Sequence, residues 1–162
     1  MKYLLAFLVS MVPIVELRGA IPFGLSNLMG GPLELVPLYV LCILGNMLPV
    51  PFIFFFARKI LVWGAERKWS KAFNWLGKFF KWILKKGEKG GKKLTAKTGQ
   101  SVYIALLLFV GIPLPGTGAW TGTLAASLLD LDFKKSVISI MLGVLLAGII
   151  MSLGSFGIFS LF

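Results

Sequence analysis

Glu16 and Arg18 lie in "PIVELRGAIPFG", residues Pro13 to Gly24, inside an apolar stretch that runs from Tyr3 to Val50. Ionisable side chains within a membrane-like segment are costly and mark function. Two chemistries suit this pair. Arg18 can hold an anion through its planar guanidinium fork. Glu16 can accept and release a proton, with burial and a neighbouring arginine acting on it in opposite senses. A third reading is an ion pair that braces the segment. On a continuous helix, positions two apart point to nearly opposite sides. Direct pairing therefore requires an unwound chain, which Gly19 and the nearby Pro13 and Pro22 favour.

A second interruption, "PLPGTGAWTG" from Pro113 to Gly122, carries no charge. Pro113 and Pro115 break the chain, and Gly116 and Gly118 allow close backbone approach. Thr117, Thr121 and Thr123 add hydroxyls, with Trp120 between them. A turn leading into a helix offers free N–H groups, a cradle for an anion. The plain alternative is loop chemistry at a hairpin tip. The Lys-Ser/Thr ending of a phosphate-binding Walker loop is absent. Asn46, beside Gly45 and just before Pro49 and Pro51, serves either as interhelical glue or as a cavity wall. The expected substrate-binding set is Glu16, Arg18, Gly19, Pro22, Asn46, Pro113, Pro115, Gly116, Thr117, Gly118, Trp120 and Thr121. Glu34, Asp130 and Asp132, the last two beside Lys134 and Lys135, read as solvated boundary charges.

The catalytic inventory is thin. There is no histidine and a single cysteine, Cys42. Histidine-based metal sites, Ser-His-Asp triads and intramolecular disulfides are excluded together. No cofactor and no metal are expected. A lipid-modifying enzyme has poor equipment here, and a membrane scaffold has only the basic linker to recommend it.

The elements that must hold these residues are membrane elements. Of the 162 residues, 57% are hydrophobic and 14% charged, more apolar surface than a soluble domain of this size can bury. The net charge is +11. Thirteen Lys or Arg against two Glu between Arg58 and Lys97 account for all of it. A basic block between membrane segments is a topology signal and a contact for anionic lipid headgroups, rather than a nucleic-acid surface. Lys2 and "YLLAFLVSMVPIV" have the charge and apolar core of a signal peptide but no small-x-small cleavage site, so the segment is expected to remain in the mature protein.

Four apolar blocks follow: Tyr3 to about Met29, Leu33 to Phe56, Val102 to Leu129, and about Val137 to Phe162. The first and third are the interrupted ones. Their lead-ins of about a dozen residues are too short to cross a bilayer. A broken segment must also lie against protein or a wet cavity, because unpaired backbone groups are costly in hydrocarbon. The expected fold is an all-α polytopic membrane protein, one membrane domain over residues 1–162. Two re-entrant broken-helix hairpins are each followed by a spanning helix, as an inverted repeat. Repeat 1 occupies residues 1–57, a basic cytoplasmic linker residues 58–100, and repeat 2 residues 101–162. Gly19-Ala20 and Gly118-Ala119, and likewise Gly45 and Gly143, recur about one hundred residues apart, in line with duplication. Both termini then lie outside. Four kinked full crossings are the alternative. In the linker, Trp69, Ala72, Phe73, Leu76, Phe80 and Ile83 fall on one arc of a helix, opposite Lys71, Lys78, Lys81 and Lys85, which reads as a basic amphipathic helix at the membrane interface. Trp75 and Trp82 fall towards its polar side. Broken elements that meet at mid-depth are the design of secondary transporters.

"ELRGAIP" from Glu16 to Pro22 and "PLPGTGAWTG" from Pro113 to Gly122 resemble the small multidrug export protein family, itself similar to the DedA superfamily. The resemblance covers essentially the whole chain. It implies two facing re-entrant hairpins in a multi-pass cell-membrane protein. It also implies translocation of an anionic or amphiphilic lipid such as undecaprenyl phosphate, driven by an ion gradient, or else efflux of cationic drugs. Glu16 and Arg18 would correspond to the acidic and basic residues of the superfamily's hairpins. The arginine that the superfamily often carries in its second hairpin has no counterpart between Val102 and Leu129. Homo-oligomerisation is left open.

Overall fold

The computed structural model describes residues 1–13, 15–26, 33–67, 75, 77–79, 81–82, 85, 89, 99–114 and 116–159. Among these the chain is helical, without strands.

Proline placement sets the first break in each half. Val12 precedes Pro13 and Ile112 precedes Pro113, and a residue before proline is pushed to extended backbone. Both adopt it, which ends α1 (Lys2–Met11) and α5 (Ser101–Gly111). The chain then turns into α2 (Glu16–Leu25) and α6 (Ala119–Leu128). Unwinding at Glu16 to Arg18, expected from Gly19 and Pro22, does not occur. The break lies before Glu16, and both Gly19 and Pro22 sit inside α2. Glu16 itself has a φ of 49°, a left-handed conformation that L-residues with a Cβ avoid.

Between these hairpins, α3 (Leu35–Met47) and α4 (Pro49–Glu66) join through a helical Leu48 into one apolar element, Leu35–Glu66. Pro49 and Pro51 remove the donors that the Gly45 and Met47 carbonyls would otherwise accept. The element passes Phe56 and Arg58 and ends at Glu66, beyond the start expected for the linker. Of that linker, Trp75, Lys78, Lys81, Trp82 and Lys85 are helical and exposed. Trp69, Lys71, Ala72, Phe73, Leu76, Phe80 and Ile83 lie outside the described residues, so the amphipathic arc does too.

The last helix, α7 (Phe133–Phe159), is capped by Asp132, whose Oδ1 accepts the Lys135 N–H at 2.9 Å. Asp132 is therefore a cap and not merely a boundary charge. Asp130 also departs from expectation, because it pairs with Arg58 of α4 and holds a φ of 55°. Two elements, Leu35–Glu66 and Phe133–Ser155, are long and apolar enough to cross a membrane.

The packing crosses between the halves. Helix α1 lies on α3, and α5 lies on α7. Each second hairpin helix packs on the other half's long helix, α2 on α7 and α6 on α4. Equivalent contacts recur. The Glu34 N–H donates to the Tyr3 hydroxyl at 3.2 Å, and the Asp132 N–H to the Tyr103 hydroxyl at 3.2 Å. A Cβ on Gly45 would lie 2.6 Å from the Phe7 carbonyl oxygen, and one on Gly143 2.7 Å from that of Leu107. Both glycines thus let a long helix press against the backbone of its hairpin's first helix. At the α3–α7 crossing, the Tyr39 hydroxyl donates to the Leu145 carbonyl at 2.6 Å, with its ring against Gly148. The core is small and tight, built on Ala6, Leu17, Ala20, Ile21, Leu38, Cys42, Ile140 and Val144. Large apolar side chains such as Val36, Phe52, Phe55, Ile138 and Leu153 are instead exposed, as suits a chain whose solvent is lipid.

Candidate functional site

Both interruptions meet, and the two charges of the first are spent on the helix ends of the second. Glu16 reaches the start of α6. Its Oε2 accepts the Ala119 N–H at 3.2 Å and its Oε1 the Trp120 N–H at 3.0 Å. These are orphan donors at the positive end of a helix, where a carboxylate is favoured. Gly118 makes room for it, with a φ of 157° and no side chain where the Glu16 carboxylate sits. Asn46 lies beside Glu16, lining the same small space behind it. Glu16 is buried, 5% exposed.

Arg18 takes the opposite helix end. One terminal nitrogen donates to the Val110 and Ile112 carbonyls at 2.9 and 3.2 Å. The other donates to the Thr117 hydroxyl at 2.8 Å and to the Leu114 carbonyl. The guanidinium thus sits at the negative end of α5 and over the loop beyond it, where a cation is stabilised. Among the described residues Glu16 and Arg18 form no salt bridge. The unwound-pair reading is corrected, while the N–H groups after the Gly116–Gly118 turn do hold an anionic group. The cradle is filled by the protein's own carboxylate.

Between the interruptions lies a cavity of about 500 Å³, within the range of ligand sites. Of the expected residues, Glu16, Arg18, Gly19, Pro113, Gly116, Thr117, Trp120 and Thr121 line it. Pro13, Val15, Leu114 and Leu124 supply further apolar wall. Trp120 Nε1 is buried with no hydrogen-bond partner among the described residues. Asn46, 3% exposed, lies behind the cavity with Glu16, Arg18 and Ala119, and its Oδ1 also has no partner among them. Pro22 stays within α2 and does not line the cavity. Pro115 lies outside the described residues. The free N–H groups expected where the second interruption enters a helix are those of Ala119 and Trp120, whereas sequence reasoning did not find the Val110, Ile112 and Leu114 carbonyls, because a backbone carbonyl carries no residue-type signal.

A family model described as "Putative small multi-drug export protein" matches residues 16–150, from the carboxylate of the site to the interior of α7. The chain belongs to this family. No curated protein and no solved structure matches it. Family membership and the apolar helices together identify a membrane protein, and the family's description is that of a transporter rather than an enzyme. Within the family match fall Glu16, Arg18, the whole second interruption, Asn46, the element Leu35–Glu66 and the greater part of α7.

Proposed function

We propose that this protein is a secondary transporter of DedA-like design that moves an amphiphile with an anionic head, such as undecaprenyl phosphate, across the cell membrane under an ion gradient. The observation that carries the reading is the unequal access of the two charges. Arg18 is only partly buried and lies in the cavity wall, held by neutral oxygens. A phosphate would exchange those neutral acceptors for a charged one that the guanidinium can grip with two prongs. Glu16 is almost wholly buried and its carboxylate is taken up by the Ala119 and Trp120 N–H groups, which disfavours efflux of cationic drugs. The cavity admits a headgroup, while an apolar tail would stay among the exposed side chains of the flanking helices. Purified protein exposed to native-lipid extract should retain an anionic lipid in mass spectra, and Arg18→Ala should lose it. Retention of neutral or cationic amphiphiles by both proteins would overturn the reading.

In this proposal the halves form an inverted repeat, each a re-entrant hairpin followed by one crossing. The recurring tyrosine and glycine contacts support duplication. The hairpin helices of 10 or 11 residues support re-entry, since a crossing takes about 20. The basic linker is cytoplasmic and both termini are outside. A cysteine at Lys89 in a Cys42→Ser background should react with a membrane-impermeant maleimide only after permeabilisation. Reaction in intact cells would overturn this topology.

A further inference from the structure

The start of α6 holds one negative charge, and it is the protein's own. The Glu16 carboxylate fills the space over Gly118 and takes the Ala119 and Trp120 N–H groups. Among the described residues, two buried polar atoms of the site have no hydrogen-bond partner. Trp120 Nε1 is a buried donor in a residue that lines the cavity, and Asn46 Oδ1 is a buried acceptor beside Glu16 on the protein side. Buried polar atoms without partners are rare and costly. A free donor suits an anion, and a free acceptor suits the O–H of a protonated carboxyl. The left-handed Glu16 backbone adds strain held in place by this contact.

Resting on the transport reading, we propose that the α6 N-terminus is the anion site of the cavity, that Glu16 occupies it as a resident stand-in, and that an anionic headgroup replaces the carboxylate when Glu16 takes a proton and turns its O–H to Asn46 Oδ1. The exchange balances. A proton from the aqueous phase binds a carboxylate oxygen, and the unit of negative charge removed from the helix end is returned by the headgroup. Two anions at one buried helix end would repel strongly, and an empty end would strand its N–H groups. Occupancy is therefore exclusive, and anion and proton enter together. Among the described residues, the groups around Glu16 include one charge, that of Arg18, which favours an anion at this end whichever group supplies it. Arg18, on the same helix, is held by the Val110, Ile112 and Leu114 carbonyls. From α3, Asn46 faces it, while the Cys42 thiol points to the Ala6 carbonyl. From α7, Val144 and Ala147 line the same space, and neither titrates.

The test is calorimetry on the full-length protein with decane sulfonate, an anionic amphiphile whose head does not titrate, in buffers of differing ionisation enthalpy. Wild type should take up close to one proton per probe, with affinity falling up to about tenfold per pH unit while Glu16 ionises. Glu16→Gln, whose amide N–H can serve Asn46 Oδ1, should bind the probe equally at every pH with no proton uptake. Thermal melting checks that this variant is folded. Wild-type binding that is independent of pH and takes up no proton overturns the exchange and leaves the transport reading standing. No binding by either folded protein overturns both. Inorganic sulfate bound as tightly as decane sulfonate, with the same proton uptake, supports the exchange but makes a free anion rather than a lipid its cargo.

Discussion

Removing both charges of the "ELR" segment together will not restore what either removal destroys. An ion pair would behave otherwise, since deleting one partner strands the other and deleting both relieves it. Here each charge serves a different helix end. Arg18→Ala takes a charged donor from the Val110, Ile112 and Leu114 carbonyls and the Thr117 hydroxyl. Hydrogen bonds to charged groups are worth about 1.5–3 kcal/mol net, and water entering the cavity replaces part of the loss. A drop of about 3 kcal/mol in unfolding free energy is expected. Arg18→Lys should recover less than half, because one ammonium cannot span carbonyls on two sides. Glu16→Gln keeps an acceptor for the Ala119 and Trp120 N–H groups but loses the charge at the helix end, about 1 kcal/mol. The double variant should fall by the sum to within about 1 kcal/mol. Denaturant unfolding in detergent measures all of these. A double variant more stable than Arg18→Ala alone would show that the two charges pair after all.

The largest single loss is expected at Gly118. A methyl group there would occupy the Glu16 carboxylate, and the φ of 157° is open to glycine almost alone. Backbone strain of roughly 1–3 kcal/mol adds to overpacking of roughly 1–3 kcal/mol. Gly118→Ala should therefore destabilise by about 4 kcal/mol and separate the two interruptions. In a Glu16→Ala background the steric part disappears and only backbone strain remains, so Gly118→Ala should there cost about half as much. Equal losses in both backgrounds would mean that the carboxylate does not rest on Gly118. By contrast, Gly154 has nothing near the position of a Cβ, so Gly154→Ala serves as the control.

Much of this was legible in the residues. Val12-Pro13 and Ile112-Pro113 announced where the helices stop, because proline acts on its own neighbours. The apolar runs around Leu35 and Val137 announced the long helices, and Glu16, Arg18 and the Gly116–Gly118 turn announced the site. What could not be read was the pairing. Sequence alone presents an empty anion cradle in one half and unpaired charges in the other. Only packing of α2 between α3 and α7 brings Glu16 to Ala119 and Arg18 to Val110. Helix ends were misjudged for a different reason. Hydropathy marks where hydrocarbon ends and not where a helix does, so Arg58 and Lys59, whose long stems let their charges reach water, were read as the start of a linker although α4 runs through them to Glu66. Asp130 was misread because its partner, Arg58, belongs to the other half.

Where α3 crosses α7, the Tyr39 hydroxyl is fastened to the Leu145 carbonyl and its ring rests on Gly148. A hydrogen bond at one point resists separation more than rotation, so this crossing would suit a fulcrum. Asn46 lies two turns along from Tyr39, roughly 10 Å at 1.5 Å per residue. A tilt of roughly 15°, of the size seen in subunit rotations, would carry Asn46 by about one hydrogen-bond length and leave the crossing whole. Leverage of that kind would translate the loss of a single proton beside Asn46 into movement of an entire helix.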